Sequence, residues 1–521
     1  MPWLVQVVHP VRNGPPRYNK PPDYRPPKPI GQPAPAVHLV FNGEPKVTWQ
    51  PLSYAQNLLN DFDEQLGRKT HIAQVSRPSL KEVILGVDFG TSCTKVVLGD
   101  SGLQTAYAVP FTQMAGVSAY LLPTHLGEKD GVYSLKAEGV VHNDLKLAML
   151  GNPSDAVFCA RVAAYLALVI RAARAWIFAS LKEQYLASDL LWSLALGQPA
   201  DQATSSHSQA LFKKLGEVAW FLAGHEQSLT PGFCLEVWRS FDEGQLDPDD
   251  IEVLVMPELA AQIHGFVSST AFDPLHPNIY LLVDVGAGTV DASVFKVRKT
   301  KIQGTSQFAD STSFDFFTNA VEAYGSMNLH RHRIGWWQDQ LRSRGKYHAT
   351  VAALDEIRLP TEYRGHLPKT FDDYIEGVTV TLQGGAMSPD QHFLQRVRNQ
   401  VAGEVLFGAK KHNLLDKESI AGMPFFLCGG GARHDFYKQL ITEMKEQRGC
   451  SWLNALHREL TLPNNLRAEG VTRMDYDRLS VAYGLSQLRL DSVKQAVAMK
   501  SRVSTAHASD WGAHYVDKDM C

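Results

Sequence analysis

Short runs of consecutive apolar residues that stop at glycine turns recur along this chain, separated by stretches in which apolar residues return every three or four positions. Val83-Ile84-Leu85-Gly86-Val87 runs into Asp88, Ile279-Tyr280-Leu281-Leu282-Val283 into Asp284, and Phe425-Phe426-Leu427-Cys428 into Gly429-Gly430-Gly431. Such runs, bounded by turn residues, predict strands buried on both faces. Helical periodicity covers residues 156–181, 206–224 and 393–412, and further strands are expected at Val37 to Phe41 and Trp192 to Leu196, with a short helix around Tyr54 to Leu66. Strands alternating with helices predict an α/β fold.

The longest apolar run, Ala156 to Leu181, is broken by Arg161, Arg171 and Arg174. A membrane span wants about twenty nearly uncharged residues, so this run is expected to be a buried domain helix. Fifty-one basic and fifty-four acidic residues leave a net charge of −3, with no global field to recruit nucleic acid or an anionic membrane. Six cysteines without a C-x-x-C pair argue against a disulfide framework or a zinc site. The start, Met1-Pro2-Trp3, lacks a basic region followed by an apolar core, so no secretory signal is expected and the cytoplasm is the simplest home.

Eleven of the 28 prolines fall within the first 36 residues. Proline lacks the donor that helices and ladders need, which predicts an extended, polyproline-like tail. The segment His330-Arg331-His332-Arg333 with Trp336-Trp337 reads as an outer helix with buried tryptophans and solvated arginines, rather than as a single-strand nucleic-acid patch.

The candidate chemistry lies at the turns. In Asp88-Phe89-Gly90-Thr91-Ser92-Cys93-Thr94-Lys95, small residues let backbone amides approach phosphate oxygens, and Thr91 and Ser92 supply hydroxyls. Asp88 suits a hydrated magnesium ion beside the phosphates, and Lys95 is placed to reach a β- or γ-phosphate. Taken alone, such a loop reads first as a plain hairpin. The pattern repeats at Asp284-Val285-Gly286-Ala287-Gly288-Thr289-Val290-Asp291, and two such hairpins suggest duplicated halves facing one ligand.

These two hairpins resemble the phosphate motifs of the superfamily that contains actin, the DnaK-type heat-shock chaperones and sugar kinases. Cys428-Gly429-Gly430-Gly431-Ala432-Arg433 resembles its adenosine motif, in which Gly429 and Gly430 would lie against the nucleoside and Arg433 would pack on the adenine. Pro257-Glu258-Leu259-Ala260-Ala261 and Ser480-Val481-Ala482-Tyr483-Gly484 resemble the two connecting helices, and Asn143-Asp144-Leu145-Lys146-Leu147 resembles the segment bearing the chaperones' catalytic lysine.

The resemblance implies a two-lobed actin-like ATPase fold, two duplicated ribonuclease H-like domains around a nucleotide cleft, binding ATP/ADP with Mg2+. The implied division is a proline-rich extension over 1–80, a first lobe over 81–275, a second lobe over 276–490 whose last helix returns to the first, and a tail over 491–521. Asp88, Asp284 and Asp291 would hold the metal, mostly through water. Gly90, Thr91, Ser92, Lys95, Gly286, Gly288 and Thr289 would hold the phosphates. Glu258 would place the attacking water, and Lys146 would stabilise charge on the γ-phosphate.

The 196 residues between Asp88 and Asp284 and the 145 from there to Gly429 are close to chaperone spacing. Departures are present. Lys95 is more like actin, Arg478 stands where the chaperones carry an acid, with Asp477 adjacent, and Asp355 and Arg358 match the adenine-contacting helix only loosely. The 31 residues after Leu490 are too few for a peptide-binding domain with its lid. The implied function is a slow Mg-dependent ATPase used as a nucleotide-dependent conformational switch for a partner protein. The alternative is an actin-like, ATP-dependent filament former.

Overall fold

The computed structural model describes residues 36–51, 58–199, 205–246, 251–269, 272–301, 310–359, 363, 365–446 and 453–488. The polyproline-like segment and the tail over 491–521 lie outside the described residues, as do residues 52–57 of the helix expected at Tyr54 to Leu66. Of that helix only Glu64–Arg68 is helical among the described residues.

Two large sheets carry the chain. In the first, the strand Ser79–Phe89 lies centrally. On one side Cys93–Asp100 and Thr105–Ala108 continue it as an antiparallel meander, and on the other Ser188–Gln198 and then Glu252–Pro257 run parallel to it. In the second, Ile279–Val285 is central. Val290–Lys301 and Asp310–Glu322 form the antiparallel side, and Pro424–Cys428 and Leu456–Arg458 the parallel side. Over these five strands the order and directions are the same in both sheets, the first sheet adding the short strands Leu122–Pro123 and Leu466–Arg467, so each presents its first hairpin turn and the end of its parallel neighbour along one rim. The fold is α/β.

Helices cover both faces of each sheet, which is why the central strands read as unbroken apolar runs. In the first sheet Leu85, Val87, Leu194 and Leu196 face the helices Ala156–Ser180 and Ser206–Gly224, while Ala195 and the partly buried Ile84 face Ser480–Ser486. In the second, Leu281 and Val283 face the Phe393 to Leu406 region, while Tyr280 and Leu282 meet Ile263 and Phe266 of the helix Glu258–Val267. The helix expected over 393–412 is observed as Pro389–Arg398 and Phe407–Lys411 joined by a π-helical stretch, Asn399–Leu406. There Gln400 donates to the sheet carbonyls of Val290 and Ala320 at 2.6 and 3.1 Å.

The helices Glu258–Val267 and Ser480–Ser486 cross between the two sheets. A β-carbon on Gly484 would sit 1.9 Å from the Ala261 carbonyl oxygen, so the backbones touch only because that position carries no side chain. Ala156–Ser180 is the one helix among the described residues long and apolar enough to cross a membrane, and 72% of its most apolar window is buried inside the fold. Its arginines are used structurally. Arg171 donates to the carbonyls of Leu222, Ala223 and His225 at the end of Ser206–Gly224, and Arg174 stacks over Trp220 at 3.7 Å.

The described residues ahead of Ser79 pack on the rest of the fold. Ala36–Val47 pairs antiparallel with Ile375–Gln383, packed beside Ser326–Arg342. Leu59 and Phe62 pack instead with the helices that cover the first sheet. The helix Ser326–Arg342 departs from expectation at Arg333. Trp337 is buried as predicted, but Arg333 is also 0% exposed, pairing with Asp390 at 2.6 Å and donating to the carbonyls of Pro368 and Lys369. A buried guanidinium is tolerated here because those acceptors take its donors.

Candidate functional site

The two matching rims face each other across a cavity of about 550 Å³. Asp88 and Lys95 lie directly opposite one another in the first hairpin, with Lys95 Nζ 2.8 Å from Asp88 Oδ2. Asp284 and Asp291 occupy the same relationship in the second hairpin. The matching position is thus a lysine in the first hairpin and an aspartate in the second. The first turn is braced by Thr124, whose hydroxyl donates to Gly90 O at 2.8 Å and whose amide donates to Ser92 O at 3.1 Å. The second is braced by the start of Ser326–Arg342, where Ser326 and Met327 donate their amides to the carbonyls of Gly286 and Ala287. Its carbonyls thereby satisfy helix-start donors that would otherwise be orphaned.

The third strand ends at Gly429, whose φ of +86° turns the chain across the floor of the cavity. The first connecting helix starts at Glu258, immediately after its strand. Glu258 Oε1 lies 2.5 Å from Lys146 Nζ, and Lys146 is 5% exposed at the start of the helix Leu145–Gly151. One turn beyond Glu258, Gln262 donates to Asp284 Oδ2 at 3.1 Å. A single helix face therefore touches both Lys146 and the carboxylate of Asp284.

Crowded carboxylates shape the electrostatics. Burial, reinforced by the charges of Glu258 and Asp88, pushes the Asp284 carboxyl up to about 7. Burial works against the charges of Lys95 and Lys146. The carboxylates of Asp88 and Glu258 outweigh it, and both lysines stay above the usual value.

All the residues expected from sequence to bind phosphate, nucleoside or metal line this cavity, except Gly288. Gly288 sits behind the turn, where its carbonyl accepts from Gly325 and Asn328. Glu258 and Lys146 line it as well. Arg433 reaches the cavity but is held by Asp475 at 2.9 Å and Asp477 at 2.8 Å. Asp355 and Arg358 are not among the lining residues. Sequence reasoning missed Gln262, though its spacing four residues after Glu258 was a usable signal. It also missed Tyr363, His366 and His434, for which no local signal exists, and noted Arg478 only as a departure.

Among the described residues, no group of three or more His, Cys, Asp or Glu is placed to hold a metal ion by itself. The donor set instead suits a polyphosphate with a hydrated cation. Small turns present backbone amides, lysines are present to offset phosphate charge, and carboxylates on opposite walls are available to bind water. No protein-family model and no curated protein matches this chain significantly.

Proposed function

We propose that this chain has the two-lobed actin-like ATPase fold and acts as a DnaK-like nucleotide switch. It would bind ATP or ADP between its lobes, hydrolyse ATP slowly, and present the two states to a protein partner through relative movement of the lobes. The observation that carries the reading is the repetition itself. Two sheets that share one order and direction over five strands each deliver an Asp-x-Gly hairpin to one shared cavity, with a positive-φ glycine turn beside the second. A volume of about 550 Å³ suits a ligand of nucleotide size.

In this reading Asp88, Asp284 and Asp291 hold Mg2+ through water, and the bound ion would neutralise phosphate charge. The amides and hydroxyls of Thr91, Ser92 and Thr289 hold the phosphates. Lys146 offsets charge on the terminal phosphate, and Glu258, fixed at the helix start, orients water. Gln262 keeps the Asp284 carboxylate turned into the cavity. Since Lys146 and Glu258 hold each other at 2.5 Å, both must exchange partners before they act on phosphate and water, which suits slow turnover.

The test is ATP and ADP binding and ATP turnover by the full chain and by Asp284→Ala with magnesium, with particle size recorded on the same samples. The switch reading expects tight binding, slow turnover, unchanged size and loss of both activities in the variant. ATP-dependent growth into sedimenting particles would favour the actin-like filament former instead. Absence of any nucleotide binding would overturn both.

A further inference from the structure

The cations of the cleft are not equivalent. Lys95 is paired with Asp88, Lys146 with Glu258, and Arg433 with Asp475 and Asp477. Arg478 is the exception. Among the described residues it forms no ion pair, and its guanidinium makes one hydrogen bond, Nη2 to the Cys93 sulfur at 3.5 Å. Sulfur is a weak acceptor, so a five-donor group is left almost unused at the wall of a cavity.

Its position is specific. Arg478 closes the turn before the helix Ser480–Ser486, and it lies between the first hairpin and the third glycine turn. A β-carbon on Gly430 would stand 3.0 Å from Arg478 Cζ, so the guanidinium lies flat against that turn and any side chain there would displace it. Cys93 belongs to one lobe and Gly430 to the other. The neighbouring Asp477 is near enough for the two charges to feel each other but is bonded to Arg433 at 2.8 Å. A planar fork that no carboxylate bonds, at the wall of the cavity between two small-residue turns, is the arrangement that recognises a phosphate by two parallel hydrogen bonds.

We infer that Arg478 binds the polyphosphate of the ligand directly from between the two lobes, and so makes this cleft select nucleotides over nucleosides. The inference rests on the nucleotide reading above. Arg478 supplies part of the positive charge that the first hairpin lacks, because Asp88 already occupies its lysine.

The test is calorimetric titration of the full chain, wild type, Arg478→Gln and Arg478→Lys, with ADP, adenosine and tripolyphosphate in turn. For Arg478→Gln, ADP affinity should fall roughly ten- to a hundredfold, the range of a lost charge-assisted contact, while adenosine affinity holds within about twofold. Arg478→Lys should recover part of the loss. Equal weakening for ADP and adenosine would show Arg478 to be structural and overturn the inference, as would unchanged ADP affinity. If wild type binds tripolyphosphate but neither ADP nor adenosine, and Arg478→Gln loses that binding, the phosphate role stands and the nucleotide reading falls. Binding of none of the three overturns both.

Discussion

Gly429 and Asp284 meet at the floor of the cleft: a β-carbon built on Gly429 would lie 1.9 Å from Asp284 Oδ1. The carboxylate occupies the space that any other residue would claim, and φ of +86° at Gly429 independently disfavours a side chain. Gly429→Ala is therefore expected to destabilise the protein by about 2–4 kcal/mol and to abolish nucleotide binding. Denaturant unfolding and ADP titration check this. An alanine variant that unfolds with wild type and still binds ADP would contradict the packing described.

Asp284 gives stability a pH dependence of defined sign. Its folded pKa is raised from 3.8 to about 7, so the folded state keeps a proton that the unfolded state has already released. Stability from this group is then lost as pH rises from roughly 4 toward 7, and the loss is complete above that. In ligand-free protein with chelator, Asp284→Asn should be more stable than wild type at pH 8 by on the order of 1–4 kcal/mol. That gain should vanish near pH 4. A gain of equal size at both pH values would rule out titration as its cause.

The buried pair of Lys146 and Glu258 should behave as a coupled unit, with side chains 6% and 13% exposed. Lys146→Met leaves a carboxylate without its counter-charge and is expected to cost about 3–5 kcal/mol. Lys146→Met combined with Glu258→Gln should cost clearly less than Lys146→Met alone. The double-mutant cycle measures the difference, and strict additivity would show that the two side chains act independently. ATP turnover in either single variant should fall by roughly a hundredfold or more, with ADP affinity retained.

Much of this site was legible because its signals are local. A strand that stops at Asp-x-Gly, or at a run of glycines, is written in five or six consecutive residues, which is why Asp88, Asp284 and Gly429 were all found and lie together. Lys146 was reachable only through its order along the chain relative to a known family. Arg478 was not, because its importance depends on Asp477 turning toward Arg433, a choice made in three dimensions. Arg333 misled for the same reason: a charged residue in an amphipathic helix reads as solvated until its acceptors, Asp390 and two carbonyls, arrive from residues far along the chain. The strand at Val37 to Phe41 was expected, but nothing local named its partner, Ile375–Gln383, more than 300 residues away.

That amino-terminal strand should matter to the outer part of the second lobe alone. Phe41 stacks on Tyr347 with ring centroids 4.7 Å apart, and Trp49 packs edge-on to His330 and Tyr363. Phe41→Ala is expected to cost about 1–3 kcal/mol and to speed hydrogen exchange in Ile375–Gln383, while Ser79–Phe89 exchanges as in wild type. Equal acceleration in both strands would mean that the strand supports the whole molecule.

The same pairing imposes an order on the birth of the molecule. Asn42 bonds Thr379 across 337 residues of chain, so the strand Ala36–Val47 has no partner until those residues have been made. The first sheet, most of whose strands precede Pro257, has its central strands available long before that. The strand Ala36–Val47 must therefore stay unpaired and unaggregated while the chain between the two is made, and its docking is a late event of folding.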